Sequence, residues 1–541
     1  MTIPFKRFGV MPDMSRNAVM SVPTLKRFAD LIADLGYNAL FLYTEDTYEI
    51  PEEPYFGHGR GRYSQEDIRE IVAYCEKLGI EVIPCIQTLA HLECFLKWKH
   101  IKNKYCDVTN ILLVEEEETE NLIRNMLRSI KASYKTKYVH VGMDEAHLLG
   151  VGKYLDKHGY HSRFEILSKH LKRVCEIAKE EGLEPNIWAD MFFRMCNDGK
   201  YFMENPKLDL EKIGELPENL SLSCWDYYNA YQKIYMDMIR AHQKLGRETW
   251  FAGGIWTWKG FAPDNRFSIR SATASMEACK KLGVDTFYMT MWCEGGGGTS
   301  RFAGLPALYA ISRIAAGETS MKKIAEGFEE KYGIPFARFI DLDLTTKKKG
   351  KVSRGGTVTN PESYLLLNDP LLGRMDSTLM GGEGEFYRLA ARRLAKNAKH
   401  PEFGYLFRSQ AALARTLSRK ADLTVRTRKA YLENDREAMG EILRKDYPYI
   451  QKNLKEFIAA FRALWLYDNN PQGLEVQEAR LGGLRQRLES CEERLWDWVE
   501  NNTRIPELEE EVLDIRGKGR DLVPGHFFFD TWVNVVSAGR T

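Results

Sequence analysis

Short apolar runs and amphipathic stretches alternate at a regular beat along the first three-fifths of the chain. The apolar runs are FGVMPD (8–13), ALFLY (39–43), EVIPCI (81–86), YVHVGMD (138–144), EPNIWAD (184–190), LSLSCWD (220–226), TWFAGGIW (249–256) and TFYMTMW (286–292). Each has the length of a strand. Between them lie segments such as TLKRFADLIADLG (24–36) and SQEDIREIVAYCEKLG (64–79), where apolar residues recur at three and four and Gly closes the C-terminus. The second opens with the Ser-x-x-Asp pattern of a capping box. Eight strands alternating with helices, with a last helix near 305–316, predict a (β/α)8 TIM barrel. A doubly wound open sheet is the alternative, but no G-x-G-x-x-G follows any of the runs.

From about 317 the beat changes to long, charged, helix-periodic segments, among them GEFYRLAARRLAKNA and LEVQEARLGGLRQRLESCEERLWDWVE. These predict antiparallel helices, so the expected division is a catalytic barrel over 1–320 and an α-helical C-terminal domain over 321–541. The Gly- and Pro-rich stretch 346–373 reads as a linker, and HFFFDTWVNVVS (526–537) as a closing strand.

At 541 residues the chain exceeds what one core organises. Its 44% hydrophobic and 28% charged residues are those of a soluble globular protein. A formal net charge of +1 argues against a nucleic-acid partner, and the basic run KKK at 347–349 reads as a solvated loop. No apolar stretch is long enough to span a membrane. The start, MTIPFKRFGVMPDM, lacks the pattern of a secretory signal, and ten scattered cysteines form no C-x-x-C pair. Together these predict a cytoplasmic protein with reduced thiols.

The candidate chemistry lies in HVGMDEAH (140–147), two acids between histidines at the end of the fourth run. A nucleotide-driven DEAH box needs a phosphate-cradling G-x-x-x-x-G-K-[ST] loop, which is absent. His140, Asp144 and His147 could be imagined around zinc, but neither H-E-x-x-H nor a Cys/His cluster accompanies them, so no metal is expected. Catalytic residues of (β/α)8 enzymes stand at the C-terminal ends of strands, where Asp144 and Glu145 stand. Glycosidic cleavage needs an acid for the leaving oxygen and usually a second carboxylate across the sugar. Adjacent residues cannot easily flank the ring, but a neighbouring Asp can hold a substrate group that is itself the nucleophile. The 2-acetamido group of an N-acetylhexosamine is such a nucleophile.

His140-Val-Gly-Met-Asp144-Glu145 resembles the H-x-G-x-D-E signature of glycoside hydrolase family 20, the β-N-acetylhexosaminidases. The resemblance extends over roughly 5–320: PDMSR (12–16) is similar to the family's Asp-x-x-Arg, EVIPCIQTLAH (81–91) to P-E-I-D-T-P-G-H, NIWADM (186–191) to the fifth-strand tryptophan segment, and TMWCE (290–294) to W-x-E. Cys85 stands in place of the family's Glu and Leu89-Ala90 in place of Pro-Gly, and the barrel begins without the α+β domain that usually precedes it. This implies a divergent, barrel-first branch.

The resemblance implies Glu145 as general acid and then base, and Asp144 as the group that orients the acetamido N–H and stabilises the oxazolinium. It implies that Arg16 and Glu294 hold ring hydroxyls at opposite ends, and that His91 links a strand-two acid, Glu45 or Asp46, toward the general acid. Trp188, Trp225, Trp256 and Trp292 are candidates for the sugar-stacking walls, and Tyr227 or its neighbour Tyr228 for a hydroxyl on the acetamido oxygen. The expected activity is that of a cofactor-free exo-β-N-acetylhexosaminidase on glycans ending in β-linked GlcNAc or GalNAc. Two alternatives stand beside it: a retaining glycosidase with Glu294 as protein nucleophile, and a glycan-binding barrel without catalysis. The helical segment offers a surface for a homodimer.

Overall fold

The computed structural model describes residues 3–258, 260–347 and 360–515. Eight strands close into a parallel barrel in chain order: β1 (Arg7–Pro12), β2 (Ala39–Glu45), β3 (Glu81–Ile86), β4 (Tyr138–His140), β5 (Glu184–Trp188), β6 (Ser221–Trp225), β7 (Glu248–Gly254) and β8 (Thr286–Met291). The ring is sealed by β1 on β8, in register from Arg7 opposite Thr286 to Pro12 opposite Met291. All eight apolar runs are therefore strands of one (β/α)8 barrel. The fourth is shorter than its apolar run, because the backbone turns left-handed at Gly142 (φ 74°) and Met143 (φ 73°) and leaves the pleat.

Helices form where the periodicity places them. The first, α1 (Val22–Asp34), begins at the Ser21 cap with Pro23 in its first turn and buries Leu25, Phe28, Ala29 and Ile32 on one face. The second, α2 (Gln65–Lys77), carries the reciprocal box: Asp67 N–H donates to Ser64 Oγ at 3.0 Å, and Ser64 N–H donates to Asp67 Oδ2 at 2.8 Å. Inside the barrel, Phe41 stacks on Tyr288 at 4.1 Å. Gly9 lets that ring in, since a Cβ there would stand 2.6 Å from Phe41 Cε2.

The chain divides into two compact units, and the division is not a single cut at 320. The first comprises 1–255, 267–292 and 307–319; the second comprises 256–266, 293–306 and 320–541. The segments that follow β7 and β8 therefore belong with the C-terminal helices. Phe261 packs edge-on against Phe457 and Phe461, at 5.2 and 5.4 Å between ring centres. Ser300 Oγ donates to Asp468 Oδ2 at 2.5 Å, and Gln477 Nε2 donates to the carbonyls of Gly295 and Gly296 at 3.0 Å. Nothing in their local sequence separates these two segments from the barrel pattern; only contacts distant in sequence assign them. The long helices run over Glu383–Ala395, Gly404–Lys420, Tyr447–Asp468 and Leu474–Asn501. Part of the stretch expected as linker is a buried helix, Pro361–Leu367, opened by its proline and held by Tyr364 and three leucines. The expected strand at 526–537 lies outside the described residues.

The N-terminal mouth of the barrel is closed by charge and rings. Arg7 Nε donates to Glu81 Oε2 at 3.0 Å, and its guanidinium lies 4.1 Å from the Tyr138 ring centre. All three residues begin their strands, so this cluster stands at the end opposite the strand C-termini. Arg7→Met should lower the unfolding free energy by about 1–3 kcal/mol in urea titration, with the far-UV circular dichroism unchanged. An unchanged midpoint would show that the cluster contributes nothing to stability.

Candidate active site

The turn that ends β4 is fixed before any ligand is considered. Gly142 N–H donates to His140 Nδ1 at 3.1 Å, and Met143 N–H donates to Gln87 Oε1 at 3.1 Å. A Cβ at position 142 would fall 1.9 Å from Gln87 Oε1, and φ there is positive, so the motif's glycine is required twice over. Glu145 itself is left-handed at φ 51°. Glu45 at the end of β2, and Asn17 and His91 in the loops that follow β1 and β3, are left-handed as well. Each such residue costs about 1–3 kcal/mol, and strain gathered on one rim of a barrel marks a site the rest of the fold supports.

The two neighbouring acids are held in different ways. Asp144 has 14% side-chain exposure and is gripped on both oxygens. Gln87 Nε2 donates to its Oδ1 at 2.8 Å, and His91 Nε2 lies 3.2 Å from its Oδ2. Burial pushes the Asp144 carboxyl up, but the charge of His91 and the bonds from His91 and Gln87 outweigh it and hold the group below the usual carboxylate range. His91 is displaced the other way: burial disfavours its charge, and the nearby Asp144 and Glu45 carboxylates prevail and raise it. At neutral pH the two form an ion pair. Glu145 is more open, at 40% exposure, with Arg194 Nη2 donating to its Oε1 at 3.1 Å. Behind it, Arg194 Nε donates to Asp190 Oδ2 at 2.7 Å, and Glu145 N–H reaches the same oxygen at 3.4 Å. Burial raises the Asp190 carboxyl, against the opposing charge of Arg194.

Arg16 anchors the other end. It bonds Asp13 Oδ2 at 3.0 Å and Glu45 Oε1 at 3.1 Å, and Tyr43 Oη donates to the same Glu45 oxygen at 2.9 Å. Gln87 Nε2 also donates to Tyr43 Oη at 3.0 Å, so polar contacts run unbroken from Arg16 through Glu45, Tyr43 and Gln87 to Asp144 and His91. Of the two strand-two acids, Glu45 is the one in this chain; Asp46 turns to Arg60, 3.1 Å away. His91 lies closer to Asp144 than to Glu145, which is 3.9 Å away, so its direct partner is the aspartate rather than the glutamate.

The aromatic candidates of the barrel converge. Trp292 meets Trp188 at 6.0 Å, Tyr43 edge-on at 4.8 Å and Tyr227 at 6.5 Å, with the Arg16 guanidinium 5.2 Å from its ring. Tyr227 lies parallel to Trp225 at 5.3 Å and is buried, whereas Tyr228 leans on Phe202 at 5.3 Å. His140 packs on Trp188 at 4.3 Å, and burial pushes it down to about 3, so it is neutral. Among the described residues no group of His, Cys, Asp and Glu is arranged to hold a metal ion. Trp256 and Glu294 fall in the second compact unit, where Trp256 stacks on Trp258 at 4.3 Å. Sequence reasoning missed Tyr43, Gln87, Asp190 and Arg194. Asp190 and Arg194 carried a legible signal, an i,i+4 acid–base pair just beyond a barrel strand.

A closed parallel barrel with paired carboxylates on its C-terminal rim is the scaffold of acid–base hydrolysis. Residues 5–237 match the glycosyl hydrolase family 20 catalytic domain, and residues 337–524 match the glycoside hydrolase 20C C-terminal domain. The two matches together span more than three-quarters of the chain, which belongs to glycoside hydrolase family 20. Among curated relatives, Hexosaminidase D of Bos taurus is 26% identical over 39% of this chain and 60% of its own length. Beta-hexosaminidase 3 of Arabidopsis thaliana is 28% identical over 35% of this chain and 37% of its own. Among solved structures, a GH20 exo-β-N-acetylglucosaminidase from Vibrio harveyi aligns at 16% identity and TM-score 0.47, over 63% of this chain and 58% of that one. The chain thus spans three-fifths or less of the curated relatives it matches.

Burial raises Glu45 to about 7, against the charges of Arg16 and His91. Between its unfolded value of 4.5 and about 7 the folded chain keeps a proton on Glu45 that the unfolded chain has lost. Stability from this group therefore falls as pH rises through that window. Glu45→Gln should flatten the fall, read as urea midpoints at about pH 5 and about pH 7.5. A variant with the wild-type pH slope would contradict the assignment.

Proposed function

We propose that this protein is an exo-acting β-N-acetylhexosaminidase that removes terminal β-linked GlcNAc or GalNAc from glycans by substrate-assisted, retaining hydrolysis, without a cofactor. The observation that carries the reading is the unequal pair: Asp144, 14% exposed, is gripped on both oxygens by Gln87 and His91, and the adjacent Glu145, 40% exposed, is bonded by Arg194 on Oε1. Family membership and the names of its hexosaminidase relatives support it.

In this mechanism Glu145 gives its proton to the glycosidic oxygen as the C1–O bond breaks. The acetamido oxygen attacks C1 from the opposite face and forms an oxazolinium, while Asp144 accepts the acetamido N–H and stabilises the positive charge. Glu145, now a carboxylate, takes a proton from water as that water attacks C1 and reopens the ring, giving retention. Arg194, whose Nη2 donates to Glu145 Oε1 at 3.1 Å, would orient that carboxyl through the cycle. Arg16 with Glu45 would grip hydroxyls at the far side of the sugar, and Trp188, Trp292 and Tyr227 would enclose the acetyl group. None of the ten cysteines is in a disulfide, and no described helix is long and apolar enough to cross a membrane. The unpaired thiols support a reducing, cytoplasmic setting as part of the proposal.

Glu145→Gln should cut turnover about 10²- to 10⁴-fold on substrates with basic leaving groups and far less on activated aryl ones. Equal losses on both would remove Glu145 from the acid's role. Asp144→Asn should lower turnover about 10²- to 10³-fold and weaken a thiazoline analogue of the cyclised sugar, because the neutral amide cannot balance its charge. Undiminished thiazoline binding would count against Asp144 as the stabilising group.

A further inference from the structure

A short helix, Asp190–Cys196, begins two residues past the end of β5 and faces the turn that carries Glu145. Its first residue, Asp190, is fully buried. Arg194 stands one turn on, and the i,i+4 spacing brings the two side chains together. Asp190 Oδ2 accepts from Arg194 Nε at 2.7 Å and from the Glu145 N–H at 3.4 Å. The guanidinium is held on all three nitrogens, because Nη1 donates to the Gly199 carbonyl at 3.2 Å and Nη2 to Glu145 Oε1 at 3.1 Å. The Gly199 N–H returns to the Arg194 carbonyl at 2.9 Å, in a turn that needs φ 79°. The ring centres of Tyr201 and Trp225 each lie 5.8 Å from the guanidinium carbon. A planar fork fixed at every nitrogen offers its carboxylate partner one place to sit.

We propose that Asp190 and Arg194 are positioning residues for the general acid: Asp190 sets the guanidinium, the guanidinium holds Glu145 Oε1, and Oε2 is the oxygen that gives up and takes back the proton. The inference rests on the proposed glycosidase reading and adds to it which oxygen works and what aims it. An arginine fork has donors and no acceptor, so Oε1 accepts there and a carboxyl proton sits on Oε2. Oε2 lies 3.9 Å from His91 Nε2, the atom that also stands 3.2 Å from Asp144 Oδ2. The working oxygen is therefore turned toward the carboxylate assigned to the acetamido group. Asp190 also receives the N–H of Glu145, whose backbone is left-handed at φ 51°, so it supports the turn as well as the arm. Both residues act through Glu145.

The test compares phenyl and 2,4-dinitrophenyl β-N-acetylglucosaminides by kcat/KM, which reports the step that breaks the glycosidic bond. Phenolate is basic and leaves with help from a proton; dinitrophenolate needs little. Arg194→Met and Asp190→Ala should each lower kcat/KM on the phenyl glycoside about 10- to 100-fold, the cost of an acid displaced by a fraction of an ångström, and at least about five-fold less on the dinitrophenyl one. The double variant should fall within about three-fold of Arg194→Met alone, because Asp190 acts chiefly through that arm. If Asp190→Ala does not fold, Arg194→Met carries the comparison of the two substrates. Equal losses on both substrates, no loss on either, or losses that multiply in the double variant would overturn the positioning role while the wild-type activity stands. A wild-type enzyme that cleaves neither substrate would overturn the glycosidase reading, and the positioning role with it.

Discussion

A carboxylate taken out of water must be answered by a cation and by donors, or it takes up a proton instead. Asp144 is answered by His91 at 3.2 Å and by the Gln87 amide at 2.8 Å, and it stays ionised with only 14% of its side chain exposed. Much of the surrounding structure exists to hold those two partners. His91 and Met143 sit in left-handed backbone, Gln87 is braced by Tyr43 and by the Met143 N–H, and Gly142 has no side chain because the Gln87 amide occupies its place. Replacing any one of these would move the carboxylate or return its proton.

The same constraint explains why two adjacent acids differ. The left-handed turn at Glu145 sets its carboxyl apart from the Asp144 cage, toward Arg194 and solvent. One carboxylate is enclosed by its partners, and the other meets a guanidinium beside solvent. Two neighbouring acids thus stand in unlike surroundings within one residue's spacing.

The barrel was legible from the chain because its strands are buried and its helices are capped in the ordinary way; all eight apolar runs and the Ser64–Asp67 box are where periodicity places them. The acid pair was legible because a strand end in a barrel is a known address for chemistry. What escaped were features fixed by distant contacts. Gln87 reads as an unremarkable polar residue until Tyr43 and Asp144 are beside it. Segments 256–266 and 293–306 follow barrel strands in sequence yet fold with the C-terminal helices, through pairs as remote as Ser300 and Asp468. That regrouping assigns Trp256 and Glu294 to the second unit, and Trp188, Trp225, Tyr227 and Trp292 to the first.

On the proposed mechanism, Asp144 is kept ionised to serve a nucleophile that the substrate carries. The most direct measurement is the turnover of aryl β-glycosides whose N-acetyl group carries none, one, two or three fluorines. Fluorine withdraws electron density from the carbonyl oxygen, so an acetamido nucleophile predicts a steep, monotonic fall in kcat across the series. A kcat indifferent to fluorination would contradict the account, because the attacking oxygen would then belong to the protein or to water.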